Sequence, residues 1–125
     1  MKMMRGFIIV IIMAAMAVGI AGARASWTPE SATRHFVEEA ARGDIDRMTW
    51  AMTSDSAALL VLYGDANRIR NFFSGRGSIA RIEQVSNNGS IAITQVTFGN
   101  GSTEQFRLVY IGGDWWVASQ IVRRN

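Results

Sequence analysis

From Ile91 to Val122 apolar and polar positions alternate in three runs, Ile91–Phe98, Thr103–Ile111 and Trp115–Val122. Gly99-Asn100-Gly101-Ser102 and Gly112-Gly113 separate them. A period of two predicts strands, and the glycine-rich breaks predict hairpin turns. A Gly-Gly loop favours a primed turn, because both of its positions take positive φ without steric cost. That loop places Ile111 opposite Asp114, Tyr110 opposite Trp115, Leu108 opposite Val117 and Phe106 opposite Ser119. Simple closure of the four-residue loop sets Phe98 opposite Thr103, which brings Ile93 opposite Leu108 and Ile91 opposite Tyr110. Side chains then sort by alternation. Ile91, Ile93, Phe106, Leu108, Tyr110, Trp115, Val117 and Ile121 form an expected core face. Ala92, Thr94, Val96, Gln105, Arg107, Val109, Trp116, Ala118 and Gln120 form a mixed face.

Upstream the period changes. Thr28 is an expected N-cap and Pro29 suits the first helical position. Ala32, Phe36, Val37, Ala40 and Ala41 make a helical stripe that Gly43 ends. Asp44 caps a short second helix carrying Ile45, Met48, Trp50 and Met52. Ser54-Asp55-Ser56 opens a third, apolar almost all round from Ala57 to Tyr63, which Gly64 stops. Asp65 caps a fourth, with Ile69, Phe72 and Phe73 inside and Arg68 and Arg70 outside. Ile79–Val85 reads as the first strand and Asn87-Asn88-Gly89 as a turn, through a loop of two or three residues. Helices followed by strands predict an α+β domain, with the helices packed on one face of a four-stranded antiparallel meander.

The first 25 residues are expected to lie outside that domain. Lys2 and Arg5 precede an apolar run, Phe7 to Ile20, and Ala23-Arg24-Ala25 forms a small-residue site before Ser26. This is the layout of a secretory signal peptide, with cleavage expected after Ala25. The alternative is an uncleaved anchor, since the apolar stretch reaches the lower limit for a span. Residues 26–125 then form one domain, exported to the periplasm or secreted. Of 13 basic residues, Lys2, Arg5 and Arg24 fall in the leader, leaving ten against ten acidic ones. A near-neutral domain lacks the clustered basic surface of a nucleic-acid partner. The chain has no cysteine, which removes disulfides, thiolate catalysis and thiolate metal ligands together.

Two stretches carry a family resemblance. Thr28-Pro29-Glu30-Ser31-Ala32-Thr33-Arg34-His35-Phe36 with Ala40-Ala41-Arg42-Gly43-Asp44 resembles the opening helix of nuclear-transport-factor-2-like domains. Within these it is most similar to the small exported bacterial group related to lumazine-binding-like domains. Leu108, Val109, Gly113, Trp115 and Val117 match that group's closing hairpin. The resemblance covers residues 28–122 and implies a cone, a curved sheet wrapped round helices with a pocket at its open end. Many such domains bind ligands or partners; some relatives are isomerases, dehydratases or cyclases.

Candidate chemistry is sparse. His35 is the single histidine; it lies beside Glu38 and Glu39, where a surface ion pair is expected. One histidine with scattered carboxylates does not predict a metal site, and no motif calls for a cofactor. An isomerase-type base needs a carboxylate inside an apolar pocket, but Asp55, Asp65 and Asp114 sit at expected caps and turns. Gly99-Asn100-Gly101 has no helix after it and so is no dinucleotide loop. No catalytic residue is therefore assigned. Trp50, Tyr63, Phe73 and Tyr110 are the candidates to line a pocket for a small apolar ligand. Val96, Arg107, Val109, Trp116 and Ala118 on the mixed face are candidates for an interface, either a homodimer or an envelope partner. The expected function is an exported, non-catalytic binding or interaction domain. The alternatives are a pocket enzyme of the isomerase or dehydratase type and an anchored subunit of an envelope secretion assembly.

Overall fold

Four helices lead into four strands, and most of their ends fall on residues that the sequence marks. The computed structural model describes residues 27–121. The leader and Arg123-Arg124 lie outside the described residues. Helix α1 is Pro29–Arg42, α2 Ile45–Thr49, α3 Ser54–Tyr63 and α4 Ala66–Ser74. Thr28 Oγ1 accepts from Ser31 N at 3.1 Å, while Thr28 N donates to Ser31 Oγ at 2.8 Å, closing a capping box. Asp44 Oδ1 accepts from Arg47 N, and Asp65 Oδ1 accepts from Asn67 N and Arg68 N. Gly43 ends α1 at φ 73°, and a Cβ there would meet Ala66 O at 3.1 Å and Arg70 Cβ at 3.2 Å. Glycine is required at that point both for the left-handed turn and for the close passage of α4.

Strands β1 Ile79–Asn87, β2 Ile91–Phe98, β3 Thr103–Ile111 and β4 Asp114–Ile121 form one antiparallel sheet in the order β1-β2-β3-β4. The sheet stays open, and the helices cover one face: an α+β arrangement that is not closed into a barrel. The first loop holds two residues, since Asn88 N donates to Ile91 O at 3.1 Å across Gly89-Ser90. The Gly112-Gly113 turn sets Tyr110 opposite Trp115 and Leu108 opposite Val117, as expected. Beyond it a bulge at Ala118 moves Phe106 from Ser119 to Gln120.

The β2–β3 register differs from the expected one by one residue. Phe98 N donates to Ser102 O at 2.9 Å and Thr97 faces Thr103, so the loop has three residues, Gly99-Asn100-Gly101. Gly101 takes φ 88°, the left-handed position such a loop requires. Asn100 Oδ1 accepts from Ser102 N at 2.9 Å and from Ser102 Oγ at 2.6 Å, which locks it. A slip of one exchanges the two faces of a strand. Ala92, Thr94, Val96 and Phe98 are therefore the buried side of β2, and Ile91 and Ile93 turn outward.

The core forms between this face and the helices. Val96, Phe98, Phe106, Leu108, Trp115 and Val117 pack with Ala32, Phe36, Val37 and Ala40 of α1, Met48 of α2 and Phe73 of α4. Phe36 meets Phe106 edge-on with ring centroids 5.5 Å apart. Thr33 Oγ1 donates to Pro29 O at 2.8 Å and pairs with Thr94 Oγ1 at 2.8 Å, so two buried hydroxyls join helix to sheet without an orphan. The β4 edge is partly occupied by the α2–α3 connection: Val117 N donates to Ala51 O at 2.7 Å and Thr53 N to Val117 O at 3.0 Å.

Candidate functional site

The outer sheet face is set by the register of β2, β3 and β4. Register sets Ile91, Val109 and Trp116 in one row across β2, β3 and β4. Ile93 lies beside Arg107 in the next row, and Gln95 beside Gln105 in the one after, where Gln105 Nε2 donates to Gln95 Oε1 at 2.9 Å. Trp116 Nε1 donates to Ile111 O at 3.1 Å, which fixes the indole across the end of β3. On β1 the same face carries Arg81 and Glu83, paired at 3.6 Å. An apolar centre is thus bordered by polar and charged groups. A solvated antiparallel face ordinarily alternates to polar residues on its outer side, and this one carries Ile91, Ile93, Val109 and Trp116 there.

Three of the five expected interface residues, Arg107, Val109 and Trp116, lie on this face, and Ala118 sits at the β4 bulge beside it. Val96 does not. It is 0% exposed beneath the helices, because the three-residue loop turns it inward. Ile91 and Ile93 take its place.

The expected pocket residues do not gather round one cleft. Phe73 is a core residue held among Phe36, Phe72, Phe98 and Phe106, and Phe72 is the partly exposed member of the pair. Tyr110 stands half exposed beside Trp115, ring centroids 5.2 Å apart. Tyr63 and Trp50 stand out at the surface, 80% and 55% exposed. Trp50 instead belongs to an aromatic stack: Trp27 lies 5.0 Å from His35, and His35 lies 6.0 Å from Trp50 at 10°. His35 Nε2 donates to Arg47 O at 2.7 Å. The histidine therefore pins α1 to α2, and the expected ion pair with Glu38 and Glu39 is replaced. Glu38 meets Arg34 at 3.9 Å, and Glu39 is buried against Arg42 at 3.0 Å.

A cleft of about 390 Å³ opens at the other end of β3 from Tyr110, lined by Phe72, Arg76, Glu104, Gln105 and Gln120 among others. Arg76 Nη2 meets Glu104 Oε2 at 3.1 Å, with its guanidinium 4.2 Å from the Phe72 ring centre. Gln120 Nε2 donates to Glu104 Oε1 at 2.7 Å. The volume is within the range of ligand sites, but its charged and amide side chains are paired with one another, and Phe72 and Ile121 complete a mixed lining. Nothing in the sequence pattern marked Arg76, in a loop, as the partner of Glu104.

The sequence placed Asp55 and Asp65 at helix starts, and both carboxylates accept backbone N–H groups there. The Thr53 hydroxyl and the Ser56 N–H hold the Asp55 carboxyl below its ordinary range, the opposite of what a general base needs. Asp65 caps α4. Among the described residues no group of three His, Cys, Asp or Glu side chains could hold a metal ion.

A scan against protein families found no match, and no curated protein matches the sequence. Two solved structures are similar. One is the crystal structure of a candidate NTF2-like transpeptidase from Campylobacter jejuni, 17% identical with a TM-score of 0.48, covering 74% of this chain and 98% of that one. The other is the solution structure of a SEC-C motif containing protein from Rhodopseudomonas palustris, 16% identical with a TM-score of 0.48, covering 78% of this chain and 80% of that one. Likeness at this level transfers no residue role and no activity to this chain.

Proposed function

We propose that this chain is an exported interaction domain that pairs with a second copy of itself through the uncovered sheet face. The observation that carries the reading is the apolar row Ile91–Val109–Trp116, flanked by Ile93 and Ala118 and bordered by Arg107, Gln95 and Gln105. A central tryptophan with a nearby arginine is the composition of interface anchors. Two identical faces stacked back to back make a self-complementary contact about a two-fold axis. Export rests on Lys2, Arg5, the Phe7–Ile20 run and Ala23-Arg24-Ala25. The finer kinship, with the exported group related to lumazine-binding-like domains, rests on the opening helix and closing hairpin and belongs to this proposal.

Because the chain has no cysteine, Ile93→Cys introduces a unique thiol at the centre of the face. A short bifunctional thiol crosslinker should trap the full chain as a dimer. Asn71→Cys, on the exposed side of α4, should remain monomeric under the same treatment. Equal crosslinking at both positions would overturn the assignment of the face.

A second reading has one observation behind it. The Arg76–Glu104–Gln120 cleft has the size for a small molecule, and none of Trp50, Tyr63, Phe73 and Tyr110 lines it.

A further inference from the structure

The cleft at Arg76 and Glu104 opens where the described part of β4 ends. Its lining joins Thr103, Glu104 and Gln105 of β3 to Gln120 and Ile121 of β4, with Phe72 and Arg76 on the helix side. Val122, Arg123, Arg124 and Asn125 follow Ile121 in the sequence and lie outside the described residues. In an antiparallel pair, a residue that exchanges backbone hydrogen bonds with one neighbouring strand is followed by one that faces the other neighbour. Phe98 N donates to Ser102 O and Tyr110 N to Ser90 O, so Ser102, Glu104, Phe106, Leu108 and Tyr110 turn their backbone groups to β2. Thr103 and Gln105 turn theirs to the β4 side. Gln105 faces Ile121 in that ladder, and β3 continues past it through Glu104 to Thr103. Thr103 therefore aims an N–H and a C=O along the line that β4 takes beyond Ile121. Such an edge is a template for a further stretch of strand.

We infer that this cleft is the docking groove of the chain's own residues 122–124, which add to the edge of β3 and strap the cleft. Carried on from Gln105 and Ile121, the register sets Val122 opposite Glu104 and Arg123 opposite Thr103. Alternation then puts Val122 and Arg124 on the helix side with Glu104, and Arg123 on the outer face with Gln105. Each placement finds a matching group. Phe72, 40% exposed, gives Val122 an apolar surface to cover. The Glu104 carboxylate takes Arg76 Nη2 at 3.1 Å on one oxygen and Gln120 Nε2 at 2.7 Å on the other. An ionised carboxylate has about four acceptor sites, so it can take a second guanidinium. Arg124 sits on the diagonal from Glu104, about 7–8 Å away and within reach of a long side chain. The Glu104 side chain is 15% exposed, and a partly buried pair is screened less than a surface one.

Connectivity favours this occupant over any other strand. Ile121 is itself a lining residue, so the segment that follows it enters the groove with no loop to close. A strand from another molecule would first lose its translational and rotational freedom. With the strap in place, a small molecule enters the cleft only by displacing it. The inference does not rest on the pairing of two sheet faces.

The test is a pair of thiols in the full chain, which has no cysteine of its own. Thr103→Cys with Arg123→Cys sets two Cα atoms about 5.5 Å apart in a hydrogen-bonded antiparallel pair, inside the disulfide range of about 4.4–6.8 Å. Thr97→Cys with Arg123→Cys is the comparison. Thr97 faces Thr103 from the β2 side, which puts it two strand spacings, about 10 Å, from residue 123. Mild oxidation should link the first pair within one chain and leave the second pair reduced. Equal linking of both pairs overturns the proposal, and so does no linking of either. Linking between chains also overturns it and assigns the groove to the same segment of a second copy. Hydrogen exchange of the unsubstituted chain covers the case in which a variant does not fold. The Thr103 amide should exchange at least about tenfold more slowly than an open chain, and exchange at the open-chain rate overturns the proposal.

Discussion

Trp115 and Trp116 are adjacent and do opposite work. Trp115 is 9% exposed in the core, while Trp116 lies on the open face with its indole N–H on Ile111 O. Trp115→Ala should cost about 3–5 kcal/mol, the range for a large aromatic removed from a core, against a total of about 5–15 kcal/mol. Trp116→Ala should cost much less in monomer stability. Denaturant melts of the two variants check the order, and the reverse order would mean that the Gly112-Gly113 turn is misplaced by one residue. At this scale alternation shows which side chains share a face, and at the Gly112-Gly113 hairpin it also shows which face is the core. It does not show what the side chain meets. His35 has Glu38 and Glu39 as near neighbours along the chain, yet bonds to Arg47 O across the α1–α2 corner. That partner depends on how two helices cross, which no local pattern encodes.

Elements were legible wherever a cap or a two-residue turn decided them. Thr28, Gly43, Asp44 and Asp65 mark their helix ends, and Gly112-Gly113 marks its hairpin. The β2–β3 register was not legible, because Gly99-Asn100-Gly101-Ser102 supports two closures and tertiary burial chooses between them. The apolar content of β2 is nearly symmetric, with Ile91 and Ile93 on one side and Val96 and Phe98 on the other. A pair of substitutions reads the register directly. Val96→Lys buries an unpaired charge beneath α1, which costs several kcal/mol and should leave little folded protein. Ile93→Lys should fold with near-parental far-ultraviolet circular dichroism. Two folded variants, or the opposite assignment, would restore the four-residue closure.

On the scale of the whole molecule, one sheet face is closed by helices and the other carries an apolar row bordered by polar and charged groups. The α+β class and the helix-then-strand order followed from hydrophobic periods alone. The candidate site was only half legible: Arg107, Val109, Trp116 and Ala118 were placed by the hairpin, whereas Ile91, Ile93 and the Arg76–Glu104 cleft emerged from the long-range register. The exposed α3 was visible as an apolar run, but its lack of cover was not, since an apolar helix is normally buried. The central claim is that the open sheet face joins two copies. Sedimentation equilibrium of the parent chain and of Trp116→Glu tests it most directly, since a carboxylate at the centre of a dry contact is costly to bury while the core face is untouched. The parent should sediment as a dimer, and Trp116→Glu as a folded monomer. A monomeric parent at high concentration, or a dimer that survives Trp116→Glu, would contradict the account.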